Sequence, residues 1–324
     1  MVNNLLQSYY PYSDPVATCE ILQAIKNLTT DSASSSPSSS PSSSEYKVDI
    51  GTLESISLST QKGQTDLNLL IWDLVDLFGY KPTEGMFEDV VLSFGAARAD
   101  ASSFKALVDM EHNGYVPSYV LLRQFAVKLS GDHKRISHAH DLLNWDSQDG
   151  YLSSSTLNCL LLGFGMRKDI DMAFEVFESF AKYGLETDKN TYSFLMESLF
   201  LSAKDELNSS SSPEDTNDIS VVVDTIIGSM ELAGVERSGN FVYEHIRILC
   251  MLNKFEDAKA MLEDAIENKL PIKPGLIVMI ATEFANRGDV ETARYVANLS
   301  ATAGNGAAPE YLVRRIRSLS TTVE

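Results

Sequence analysis

Glycine recurs in this chain at a fixed interval, and that interval restricts the fold more than any other feature. Gly79, Gly114, Gly184, Gly234 and Gly304 are separated by 35, 70, 50 and 70 residues, which is one step of 35 with a single excess of 15. Gly150 lies one residue from the step between Gly114 and Gly184, and Lys269 occupies the other empty step. Only 18 of 324 positions are glycine, so such a comb is improbable by accident. Pro82 and Pro117 repeat the period, and so do local strings: Arg167-Lys-Asp-Ile-Asp-Met-Ala173 matches Arg287-Gly-Asp-Val-Glu-Thr-Ala293, with Asn253-Lys-Phe-Glu-Asp-Ala258 between them. A step of this length signals a repeat architecture.

The contents of one step say what repeats. In 155–189, Leu157, Leu160, Leu161 and Phe164 have helical spacing, and this first stretch stops near Gly165. A second stretch starts after Asp169, which suits an N-cap, and lines up Ala173, Val176, Phe177 and Phe180. It closes at Gly184, where a left-handed C-cap favours glycine. Ala173, Ala258 and Ala293 are small enough to let neighbouring helices approach closely. No such pair can bury its apolar face alone, so pairs must stack. The spacing predicts an all-α, right-handed superhelical solenoid of about seven 35-residue helix pairs, at 50–84, 85–119, 120–154, 155–189, 190–239, 240–274 and 275–309.

The flanks differ in composition. Residues 1–29 contain a short apolar stretch that suits one helix. Residues 30–46 include ten serines between Ser32 and Ser44, too polar to offset the entropy of ordering, and are expected to form a disordered linker. The 15-residue excess falls in the fifth pair, where 204–219 reads as an exposed acidic loop inside the repeat array of 47–309. Residues 310–324 offer a capping helix, with Tyr311, Leu312 and Ile316 apolar and Arg314, Arg315 and Arg317 charged.

Charge and chemistry narrow the function. With 26 Lys+Arg against 45 Asp+Glu the net charge is −19, which is not the basic face of a non-specific nucleic-acid binder. The three cysteines are odd in number and far apart, which favours a reducing compartment. No apolar run reaches the length of a membrane span. His133, His138 and His140 lie close together without Cys or carboxylate partners at metal-site spacing. There is no Cys-x-x-Cys, P-loop, dinucleotide fingerprint or nucleophile elbow. The expectation is therefore no catalytic residue, no metal and no cofactor.

The openings Thr156-Leu-Asn-Cys-Leu-Leu161 and Thr191-Tyr-Ser-Phe-Leu195, the middle Asp171-Met-Ala-Phe-Glu-Val-Phe177 and the end Tyr183-Gly-Leu-Glu-Thr-Asp188 resemble the pentatricopeptide repeat. The resemblance extends over about 260 residues and is strongest in 155–195. It implies a plant organellar protein, mitochondrial or alternatively chloroplast, that holds single-stranded RNA one base per repeat. The import signal such proteins carry is absent here, so the sequence is expected to be a truncated or processed form; the alternative compartment is the cytosol.

The resemblance also implies that bases are read by one first-helix residue and one residue at the repeat's end. Carried over, these are Asn158 with Asp188, which resembles a uracil-reading pair, and Ser193 with Ser238. The pairs Leu53/Thr83, Glu88/Ser118, Arg123 with Ser153 or Ser154, Tyr243/Lys273 and Val278/Ala308 do not match a reading pair. So few readers give a degenerate code, because each base contributes only ~1–3 kcal/mol. The alternative is a protein-interaction scaffold in a large organellar assembly that touches no RNA.

Overall fold

The computed structural model describes residues 15–34, 47–144, 150–209, 213–304 and 309–320. They form sixteen α-helices, with no strand among the described residues. Helix α1 is Pro15–Ser34. Seven pairs follow: α2 Ile50–Leu58 with α3 Thr65–Phe78, α4 Glu84–Ala96 with α5 Asp100–His112, and α6 Tyr119–Ser130 with α7 His133–Asn144; then α8 Ser154–Met166 with α9 Ile170–Tyr183, and α10 Lys189–Ser209 with α11 Pro213–Leu232. The last two pairs are α12 Gly239–Met251 with α13 Phe255–Glu267 and α14 Pro274–Asn286 with α15 Val290–Thr302, and α16 Glu310–Ser320 closes the set. The chain is thus the all-α helix-pair repeat that the 35-residue step predicts. It divides into two compact units, residues up to Leu160 and residues from Leu161, with the division inside α8.

Backbone conformation explains the glycine comb. Gly79, Gly114, Gly184, Gly234 and Gly304 have positive φ at the ends of second helices, Gly150 has positive φ near its step, and Lys269 (φ 57°) adopts the same left-handed conformation at the step that lacks glycine. A second comb lies at the turn inside five of the seven pairs: Gly63, Arg98, Lys168, Asn253 and Gly288, all at positive φ. Its spacings are again multiples of 35, plus the same excess of 15. Glycine counting misses it because three of the five positions carry side chains, each holding a conformation that costs a non-glycine residue roughly 1–2 kcal/mol.

Packing follows the sequence stripes. Leu157, Leu160, Leu161 and Phe164 are buried, as are Ala173, Val176 and Phe180. Asp169 caps α9 by accepting from Met172 N at 3.2 Å, and Gly184 closes it. In the first unit, tyrosine hydroxyls tie successive pairs together. Tyr80 donates to Val48 O at 3.0 Å, and Tyr115 donates to Pro82 O at 2.9 Å. In the second unit, Val242, Ile246, Leu276, Ile280 and Val296 join Leu312 and Ile316 of α16 in one core. Tyr311 points outward, 63% exposed, so α16 caps with two apolar residues rather than three.

Two expectations are corrected. Helix α1 packs on the first pair, with Leu22 and Ile25 buried among Val48, Leu53 and Ile71 and Lys26 paired with Asp73 at 2.5 Å. It also runs to Ser34, so the first residues of the expected linker 30–46 are helical; the rest of that linker lies outside the described residues. The expected acidic loop at 204–219 is largely helix, with 204–209 in α10 and 213–219 in α11. The 15 extra residues therefore lengthen both helices of the fifth pair, to 21 and 20 residues. Polar, acidic residues stay helical when they extend a helix already nucleated by buried residues.

Candidate functional site

The end-of-repeat residues are, first of all, helix N-caps. Asp49, Thr83, Ser118 and Ser238 each accept a backbone N–H three residues on, from Thr52, Met86, Leu121 and Phe241. Ser153 does the same for Thr156 N at 3.2 Å, and Asp188 for Thr191 N at 2.8 Å. Asp188 also accepts from Thr191 Oγ1, which in turn accepts from Asp188 N, a closed reciprocal cap. The sequence signal for this was present, since Ser, Thr and Asp are the preferred N-caps. Only Lys273 lacks a side-chain cap, with Pro274 taking the first helical turn instead.

Five residues beyond each cap stands the first-helix member of the pair, and the structure does bring several pairs together. Ser193 Oγ and Ser238 Oγ are 2.8 Å apart. Ser118 Oγ donates to Glu88 at 3.1 Å. Lys273 Nζ sits 4.2 Å over the Tyr243 ring. In the first pair the partner of Thr83 is Glu54, at 2.7 Å, not Leu53. Leu53 is buried in the core, because the step from Asp49 to Thr83 is one residue short. Asn158 belongs to the first unit and Asp188 to the second, and each is described by its own neighbours. Asn158 is 1% exposed and Ser193 is fully buried. Ser193 also donates to Lys189 O at 2.5 Å.

The two units differ in charge along this row. The first carries Glu54 and Glu88, backed by the buried Asp89, which accepts from Gln61 Nε2 at 2.7 Å. Burial raises the Asp89 carboxyl, and the charges of Glu88 and Glu54 raise it further. The second carries a cation–aromatic cluster that the spacing argument misses, because its members come from two helices and the N-cap of a third. The Arg247 guanidinium lies 3.7 Å over the Phe200 ring and 5.3 Å from that of Tyr243. A cavity of about 380 Å³ opens beside it, lined by Phe200, Lys204, Arg247, Met279 and Glu283. Stacked guanidinium and exposed ammonium groups beside aromatic faces suit an unpaired base with its phosphate.

Beneath this cluster lie two buried titratable neighbours with opposite tendencies. Burial pushes the Glu244 carboxyl up from 4.5 to about 7, against the pull of Arg247 2.6 Å away and of Lys273, and with Glu197 adding to the rise. Burial pushes the His245 imidazole down from 6.5 to about 4, with Arg237 and Lys254 helping and Asp224 opposing. The folded chain therefore holds a proton on Glu244 that the unfolded chain releases, and stability falls as pH rises from 4.5 to 7. At His245 the folded chain refuses a proton that the unfolded chain takes, and stability falls as pH drops from 6.5 to 4. Each effect is worth about 3 kcal/mol, and between 4.5 and 6.5 they cancel. Urea titrations across this range therefore show a variant-minus-wild-type difference that rises with pH for Glu244→Gln. For His245→Phe the difference rises as pH falls. A difference independent of pH in both would refute the assignment.

Among the described residues no group of three or more His, Cys, Asp or Glu is arranged to hold a metal ion, and no helix is long and apolar enough to cross a membrane.

The fold defines a class: an α-helical repeat protein built from 35-residue helix pairs. No protein-family model matches the sequence, and no curated protein matches it. Solved structures similar to it include the pentatricopeptide repeat protein PPR10 in complex with an 18-nt psaJ RNA element, at 15% identity and TM-score 0.49, covering 99% of this chain and 45% of that one. A cysteine-to-serine variant of PPR10 with the same RNA element gives the same values. PPR10 from maize gives 17% identity and TM-score 0.38, covering 99% and 47%. The chain thus spans less than half the length of the solved structures it matches.

Proposed function

We propose that this chain is a non-enzymatic helical-repeat binding protein of mitochondrial RNA metabolism or translation, holding single-stranded RNA with little discrimination among bases. The observation that carries the reading is the cation–aromatic cluster of the second unit, where Arg247, Phe200, Tyr243 and Lys273 combine on the first-helix face. Such a platform stacks any base and attracts its phosphate, which is sequence-tolerant binding. The capped and mutually bonded residues around it support low specificity, because Ser193, Ser238 and Asp188 already have partners within the protein. The resemblance of the repeats supports the organellar setting.

A gel shift with a random single-stranded RNA pool tests it. Binding is expected to survive ~150 mM salt and to weaken about tenfold or more when Lys204 and Lys273 are both replaced by alanine. One observation favours a second reading, a protein-interaction scaffold: the row of the first unit is acidic at Glu54 and Glu88, which repels phosphate. No shift at micromolar protein would support that reading instead.

A further inference from the structure

Glu283 of α14 lines the cavity beside Arg247, together with Lys204 at the end of α10. Arg247 is already engaged by Glu244 at 2.6 Å. The side chains of Lys204 and Glu283, in contrast, have no hydrogen-bond or ion-pair partner among the described residues. Burial raises the thiol of Cys250, another lining residue, to about 12, and the charge of Glu283 adds to the rise, so the carboxylate is within electrostatic reach of the cavity wall. A carboxylate repels RNA phosphate. At a site that attracts phosphate, it suits an occupant that offers it hydrogen-bond donors and no negative charge.

The four bases differ in what they show a carboxylate. Its two oxygens accept a parallel pair of hydrogen bonds from two adjacent donors. Guanine carries such a pair on its Watson–Crick edge, N1–H beside the N2 amino group. Adenine and cytosine offer one amino group beside a ring nitrogen whose lone pair opposes the second oxygen, and uracil offers one N–H flanked by two carbonyls. An arginine side chain from a partner protein has a similar fork, but the cations Lys204 and Arg247 in the same lining repel it, whereas guanine is neutral. The remaining walls fit a flat ring. Met251 and Met279 present half-buried, polarizable thioethers, and the Arg247 guanidinium is a planar cation stacked over Phe200. We infer that this cavity takes a single guanine of the bound RNA: Glu283 accepts from N1–H and the N2 amino group, Met279 and Arg247 flank the ring, and Lys204 meets the phosphate. This rests on the RNA binding proposed above and adds one discriminating position to an array that otherwise discriminates little.

Fluorescence anisotropy of the full chain tests it with a labelled oligouridine and the same strand carrying one central guanosine, inosine or adenosine. The guanosine strand is expected to bind about tenfold tighter than oligouridine. Inosine keeps N1–H but lacks the 2-amino group and should recover only part of this gain, and adenosine none. Glu283→Gln replaces one acceptor by a donor and removes a negative charge, so it should erase the guanosine preference and tighten oligouridine. Equal affinity for all four strands, or a guanosine preference that survives Glu283→Gln, would overturn the inference while leaving RNA binding in place. Inosine binding as tightly as guanosine would also overturn it, and that comparison uses unaltered protein. No binding of any strand would overturn both this inference and the RNA reading on which it rests.

Discussion

Replacing Gly165 by alanine is expected to lower the stability of the second unit by about 3 kcal/mol, and by valine more. Gly165 lies within α8, and a Cβ there would fall on Ser198 Oγ and Cβ and 2.8 Å from Ser198 Cα. Two of these atoms belong to a side chain already fixed by its bond to Phe194 O at 2.7 Å, and the third is backbone, so no rotamer change relieves the overlap. Glycine inside a helix ordinarily gives way to alanine with a gain of up to ~0.5–1 kcal/mol, less in a last turn such as that of Gly165. The sign of the measured change therefore decides between propensity and packing. Chemical denaturation reads it directly, and a double variant with Ser198→Gly should recover part of the loss non-additively. A Gly165→Ala chain as stable as wild type would show that α8 and α10 do not approach as described.

Removing either partner of the Asp100–Arg135 pair is expected to cost the first unit about 3–5 kcal/mol, because the remaining charge stays buried and uncompensated. Arg135 Nε donates to both Asp100 oxygens, at 2.9 and 3.1 Å, and Nη2 donates to Asp100 Oδ1 at 2.5 Å. The same guanidinium donates to Lys128 O at 2.9 Å and Gly95 O at 2.5 Å, so one side chain ties α4, α5 and α6 to α7. The two side chains are only 10% and 6% exposed. Arg135→Lys should fare little better than alanine, since one ammonium cannot reach acceptors spread around a planar fork. Asp100→Leu combined with Arg135→Met should recover much of the loss. Thermal or urea unfolding distinguishes this from a surface pair, whose removal would change stability by less than ~1 kcal/mol.

Both residues show where reading the chain as a string stops. Gly165 reads as the end of a helix, and α8 does end at Met166; what the string does not show is the close approach of α10, which arrives about thirty residues later. Nothing adjacent to Arg135 in the chain announces its partner, an aspartate 35 residues earlier. The acidic insertion reads as loop, yet its described ends are helix. The reading pairs fare in between. Their partnership is what the resemblance implies, and Ser193 does meet Ser238, but these residues serve N-caps and one another first.

Period, helix pairing, cap residues and the left-handed glycines are consequences of local backbone geometry and apolar spacing, so they can be read from one chain without coordinates. Which polar groups remain open to a ligand cannot, because each depends on a neighbour supplied by another repeat. The cation–aromatic cluster at Arg247 exists only once helices from successive pairs lie side by side. Contacts of that kind carry no periodic mark in the sequence, since they differ from one step to the next.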